Sequence, residues 1–128
     1  MAEASLVEED INAGSELLQA LDAANLKIRA AFWYLESERD EYRLYLGSPV
    51  VDVEGPRVAY EQVQRVLRNM PQPPPIQLDR INVVSPTSEL PALLRTAIRT
   101  GPGIDHIRFR ENTVRGTFIE DAFIYRST

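Results

Sequence analysis

Apolar residues recur along this chain in two rhythms, one of 3.6 residues and one of two, and the switches between them mark the elements. Val7, Ile11, Gly14, Leu17, Leu18 and Leu21 keep helical spacing, while Glu9, Glu16 and Asp22 fill the positions between them. Ser5 and Glu8 stand three apart ahead of that run in the form of a capping box. The pattern therefore predicts an amphipathic helix from Ser5 to about Asn25.

From Leu26 the period changes to two. Leu26, Ile28, Ala30, Phe32 and Tyr34 alternate with Lys27, Arg29, Ala31, Trp33 and Leu35, and a second run, Tyr42 to Leu46, follows the polar tip at 36–41. A hairpin centred on that tip puts Ala31, Trp33 and Leu35 on one face with Tyr42, Leu44 and Leu46. The other face then carries Phe32, Tyr34, Arg43 and Tyr45. Aromatics around an arginine suit a protein interface, a base-stacking platform, or a surface that a helix of the same domain covers.

Gly55-Pro56 opens a second helix, because proline at the first helical position loses no hydrogen bond. Ala59, Val63, Val66, Leu67 and Met70 form its apolar stripe, and the proline-rich segment 71–75 after it is an extended connector. Leu78, Ile81, Val83 and Val84 read as a third strand. Ser85, Thr87 and Ser88 then offer caps for a third helix through Ile98, which Gly101-Pro102-Gly103 stops. Residues 105–126 read as a closing hairpin with Ile107 and Phe109 inward and His106, Arg108 and Arg110 outward. A turn at Glu111-Asn112 would set Phe109 across from Val114 and Arg108 across from Arg115. Glu120 falls on the apolar side of that pattern, so a bulge between Gly116 and Asp121 is expected.

The element order is thus α-β-β-α-β-α-β-β. It implies an α+β fold with a single mixed sheet of about five strands and helices mainly on one face, in one domain spanning 1–128. A chain of 128 residues, 44% of them apolar, can bury a core without a metal or a disulfide, and the absence of cysteine excludes thiolate chemistry. The single histidine, His106, restricts any histidine-dependent scheme to one position.

A net charge of -5 argues against coating nucleic acid or an anionic membrane. The imbalance lies early: residues 1–41 hold ten acids and three basic groups, against nine acids and eleven arginines in the remainder. Thirteen of the fourteen basic residues are arginine, so an arginine is by itself weak evidence of guanidinium chemistry. Met1 to Ala4 begin no basic-then-apolar leader, and no window approaches a membrane span, which sets the expected compartment as the cytoplasm.

Three groups of residues bear on chemistry. Arg108 opposite Arg115, with Arg110 and His106 beside them, would offer charge-assisted donors to a phosphate or carboxylate, unless Glu111, Glu120 or Asp121 neutralises them. Ser85, Thr87 and Ser88 precede a helix and could receive an anion, although capping accounts for them and no glycine-rich loop is present. Asp52 and Glu54 could supply carboxylates to a divalent ion, but spacing two is common and the only lysine, Lys27, is preceded at that interval by Asn25 and no acid. The sequence thus points to no cofactor, no metal and no catalytic set. The expectation is a small binding domain with a protein partner or a second copy of itself, using Phe32, Tyr34, Arg43 and Tyr45. The alternative is an enzyme or nucleic-acid accessory module that holds an anionic ligand through His106, Arg108, Arg110 and Arg115.

Overall fold

The computed structural model describes residues 5–128; Met1 to Ala4, read above for a leader, lie outside them. The elements are α1 (Glu8–Ala23), β1 (Ala30–Glu36), β2 (Glu41–Gly47), α2 (Val50–Glu54), α3 (Pro56–Asn69), β3 (Ile81–Val84), α4 (Glu89–Ala97), β4 (Ile107–Val114) and β5 (Thr117–Ser127). One five-stranded sheet runs β3-β2-β1-β5-β4, with β3 parallel to β2 and the other neighbours antiparallel. The expected α+β order holds, with α2 as one extra turn before α3. Gly55, at φ +90°, separates the two helices, a backbone state open chiefly to glycine.

Both faces of the sheet are covered, which explains why the central strand β1, Ala-Ala-Phe-Trp-Tyr-Leu-Glu, is apolar on both sides. On one face α1 and α3 pack Leu17, Leu18, Leu21, Ala59 and Val63 over Trp33, Leu44 and Tyr125. On the other, α4 brings Leu94 against Phe32, Ile119, Ala122 and Ile124. The first hairpin has the expected register, with Ala31 opposite Leu46, Trp33 opposite Leu44 and Leu35 opposite Tyr42, and Trp33 is fully buried.

The ends of α1 differ from expectation at the start and agree at the finish. Ser5 lies outside the helix; Val7 is the cap, and its N–H donates to the Asp10 carboxylate at 3.4 Å, so Asp10 takes the role that the sequence suggested for Glu8. At the other end Asn25 sits at φ +62°. The Leu26 N–H reaches Leu21 O and the Asn25 N–H reaches Asp22 O, the pair of bonds that closes a helix through a left-handed residue.

The closing hairpin corrects the sequence reading. Its turn is Arg115-Gly116, with φ +47° and +84°, and Val114 pairs directly with Thr117. Two successive positive φ values make a two-residue turn whose twist suits a hairpin, and Gly116 adopts the second without strain. This register places Ile107 against Ile124 and Phe109 against Ala122, so both join the cluster beneath α4. Arg108 consequently faces Phe123, and Arg115 stands at the turn.

Two irregularities reset which side chains point where. Pairing runs from Arg110↔Asp121 to Asn112↔Ile119 and skips Glu111 and Glu120, with Glu111 at φ +49°. One residue leaves each strand, so the register is kept while the facing alternates anew: Asp121 lies on the α1 side, Ile119 on the α4 side. The expected repair therefore lies at Glu111 and Glu120, shared between both strands. Between β1 and β5 the register shifts at Ala31/Phe32, leaving Tyr125 as an extra residue on β5. Tyr125 and Arg126 thereby both face α1. Arg126, almost wholly buried, binds the Asp22 carboxylate through Nη1 and Nη2 at 3.0 and 2.8 Å and the carbonyls of Ile28 and Gly103 at 3.0 Å.

Candidate functional site

The arginines of the closing hairpin are organised around one carboxylate. Asp121 is 3% exposed and receives Arg108 through Nε at 2.7 Å and Nη2 at 2.5 Å, Arg110 Nε at 3.6 Å, and the Tyr42 hydroxyl. Burial alone would raise the Asp121 carboxyl, but the hydrogen bonds from Arg108 and Tyr42 and the charges of Arg108 and Arg110 outweigh it and hold it below the usual carboxylate range. The same pairing raises Arg108, chiefly through its hydrogen bond to Asp121. Tyr42 is pushed up to about 12 by burial first and by its bond to Asp121 second. A bidentate guanidinium and a phenol thus close the carboxylate off, and the arrangement works as a lock between β2, β4 and β5.

Of the four hairpin residues singled out by sequence, the structure brings Arg108 and Arg110 together on Asp121. Arg115 stays apart at the turn. The exposed His106 ring packs edge-on to Phe123 and Tyr125, at centroid distances of 5.6 and 6.0 Å. Asp52 and Glu54 lie two apart on the single turn of α2, a spacing at which helical side chains do not face one another. Among the described residues no group of three or more histidine or carboxylate side chains is placed to hold a metal ion.

The aromatic face is divided by α4. Phe32 is 1% exposed in the cluster under Leu94, so it contributes no open surface; that part of the expected interface is a second core. Tyr34, Arg43 and Tyr45 lie toward β2 and stay partly exposed. Tyr45 stacks on Phe32 at 5.2 Å with the rings within 6° of parallel, and Tyr34 meets Tyr45 edge-on at 6.1 Å. The Tyr45 hydroxyl donates to Glu36 at 2.5 Å. Burial, then that bond, pushes it up to about 12. Arg43 donates to Asn82 Oδ1 at 3.0 Å and to the Asp79 carbonyl, and lies 3.6 Å from Glu41. The patch is thus two phenol rings and one guanidinium held by fixed partners, flanked by Glu36 and Glu41.

Comparison with protein-family models, curated proteins and solved structures finds no match to this chain. The site is therefore read from its chemistry alone. Asn82, Glu36 and Glu41 belong to the patch although the sequence did not single them out. The parallel β2–β3 pairing sets Tyr45 beside Asn82, and the hairpin sets Glu36 opposite Glu41, the one signal of the three that the hairpin register already contained.

Proposed function

We propose that this chain is a small non-catalytic interaction domain that pairs with a second copy of itself through the half of the sheet beside α4. The observation that carries this reading is the patch of Tyr34, Arg43 and Tyr45 bordered by Glu36 and Glu41. Tyrosine and arginine are the residues that anchor interfaces, and here stacking and hydrogen bonds hold them in place before any partner arrives, which lowers the ordering cost of association. The charges favour a like partner. A two-fold axis through the patch lets Arg43 of one copy meet Glu36 and Glu41 of the other, so the surface complements itself. Arg108 is bidentate on Asp121 and Arg110 lies 3.6 Å from the same carboxylate, so these two arginines are gathered on a group of their own hairpin.

Light scattering on the purified chain at micromolar concentration tests the proposal. The expected mass is that of a dimer for wild type and of a monomer for Arg43→Glu and Tyr34→Glu. Mixing Arg43→Glu with a Glu36→Arg, Glu41→Arg variant should restore the dimer, since the reversed charges again find opposites. A monomeric wild type, or an Arg43→Glu dimer, would overturn self-association through this face.

A further inference from the structure

At the end of the sheet where β1 begins and β2, β3 and β5 stop, a cavity of about 320 Å³ is lined by Arg29, Arg95, Arg99, Thr87, Asp52 and Thr128. Its three arginines come from the approach to β1, the last turn of α4 and the loop after α4. No spacing in the sequence announces them. Among the described residues Arg29, Arg95 and Arg99 make no ion pair within 4 Å, in contrast to Arg43, Arg80, Arg108, Arg110 and Arg126, which all do. Asp52, the one acidic side chain on the lining, makes none either. Arg57, Arg65, Arg68 and Arg115 make none as well among the described residues, so the distinctive feature is that three such arginines line one cavity.

Arg95 is already aimed. Its Nη1 donates to the Pro86 carbonyl at 3.2 Å and to the Thr128 carbonyl at 3.5 Å, bonds that use one nitrogen and leave Nε and Nη2 for a ligand. Pro86 is buried, so the anchor is fixed, and Arg95 is itself partly buried. Arg29 and Arg99 are exposed and can close on a guest. Three arginines on one cavity match the charge and the several oxygens of a phosphoryl group better than they match a single carboxylate. The volume lies at the small end of ligand sites, and Asp52 offers an acceptor to a hydroxyl while repelling further negative charge.

We infer that this cavity binds the phosphoryl group of a small hydroxylated phosphate ester. The site is distinct from the sheet face proposed for self-association. It is also distinct from Arg108 and Arg110, which gather on Asp121.

Calorimetric titration with glycerol 3-phosphate and with inorganic phosphate, at ionic strength matched with sodium chloride, tests it. Saturable binding is expected for both probes and tighter for the ester. Arg99→Ala and Arg29→Ala should each weaken it by about tenfold or more, as loss of a charge-assisted hydrogen bond does. Arg115→Ala, at the hairpin turn, should bind as wild type does, which separates the cavity from general anion attraction. Both cavity substitutions are at exposed positions, and an unchanged circular dichroism spectrum verifies their folding. Absence of saturable binding to either probe, equal binding by Arg99→Ala and wild type, or preference for a single-stranded oligonucleotide over the ester would each overturn the inference. A dimer that forms normally in Arg99→Ala keeps this result separate from the interaction face.

Discussion

Gly14→Ala is the substitution on which the packing of α1 against the sheet can be judged most sharply. In an exposed helix interior this change stabilises by about 1 kcal/mol, because alanine loses less backbone entropy on folding than glycine does. Here the added Cβ would stand 2.4 Å from the Tyr125 hydroxyl oxygen and 2.9 Å from ring atoms Cε2 and Cζ. Tyr125 is fully buried, accepts a hydrogen bond from Trp33 Nε1 at 3.0 Å and donates one to the Ile11 carbonyl at 2.6 Å, so it has no free direction in which to retreat. Overpacking a core costs about 1–3 kcal/mol. Separating Tyr125 from either bond would strand a buried polar group at about 1–3 kcal/mol more. Set against the helix gain, the net is a destabilisation of about 1–5 kcal/mol.

Urea unfolding followed by Trp33 fluorescence reads this directly, because Trp33 is the only tryptophan and is buried. With a slope of about 2 kcal/mol per molar, the midpoint should fall by about 0.5–2.5 M. Tyr125→Phe removes the atom at 2.4 Å but leaves the carbons at 2.9 Å, so the double variant should be less unstable than the sum of its parts by about 1 kcal/mol. A midpoint that rises in Gly14→Ala, or strict additivity with Tyr125→Phe, would refute the contact between α1 and β5 described above.

Two further outcomes follow from the core and the Asp121 lock. Trp33→Ala should cost about 3–5 kcal/mol, and native emission should be blue-shifted; emission near that of free tryptophan would contradict its burial. Because the folded Asp121 carboxyl lies below its unfolded value, near 4, its contribution is present above that pH and is lost as the pH falls through the lowered folded value. Asp121→Asn should therefore lower stability at neutral pH by about 1–2 kcal/mol, discounted for the partial exposure of Arg108, and give a shallower loss on acidification; parallel acid limbs in melting experiments would count against the lock.

The sequence made the first hairpin legible because its alternation, its polar tip and its bulky Trp33 all demand one register, and any slip would turn Trp33 outward. The helices were legible for a similar reason: Gly55-Pro56 and Asn25 mark ends that few other residues could form. The open half of the aromatic face was not legible, since alternation identifies a face but cannot say whether a helix distant in sequence lies on it. Phe32 and Tyr45 are paired neighbours on one face, yet α4 buries the first and leaves the second partly open.

The closing hairpin failed for a different reason, and that reason shows how the candidate sites arise. Period-two reasoning assumes that parity is kept along a strand, and β5 breaks it twice. Across Glu120 the break brings Asp121 to the side where Tyr42, Arg108 and Arg110 converge; without it the carboxylate would share the α4 side with Ile119, buried without its partners. At Tyr125 the break turns Arg126 toward Asp22, where its guanidinium finds a carboxylate and two carbonyls. Each irregularity places a charged residue where its charge is matched, and each interrupts the pattern from which the pairing would be inferred. The arginines so matched are structural. Arg29, Arg95 and Arg99 are among several arginines with no ion pair among the described residues, and it is their meeting on the cavity at the end of the sheet that marks it as the place to look for an anionic ligand.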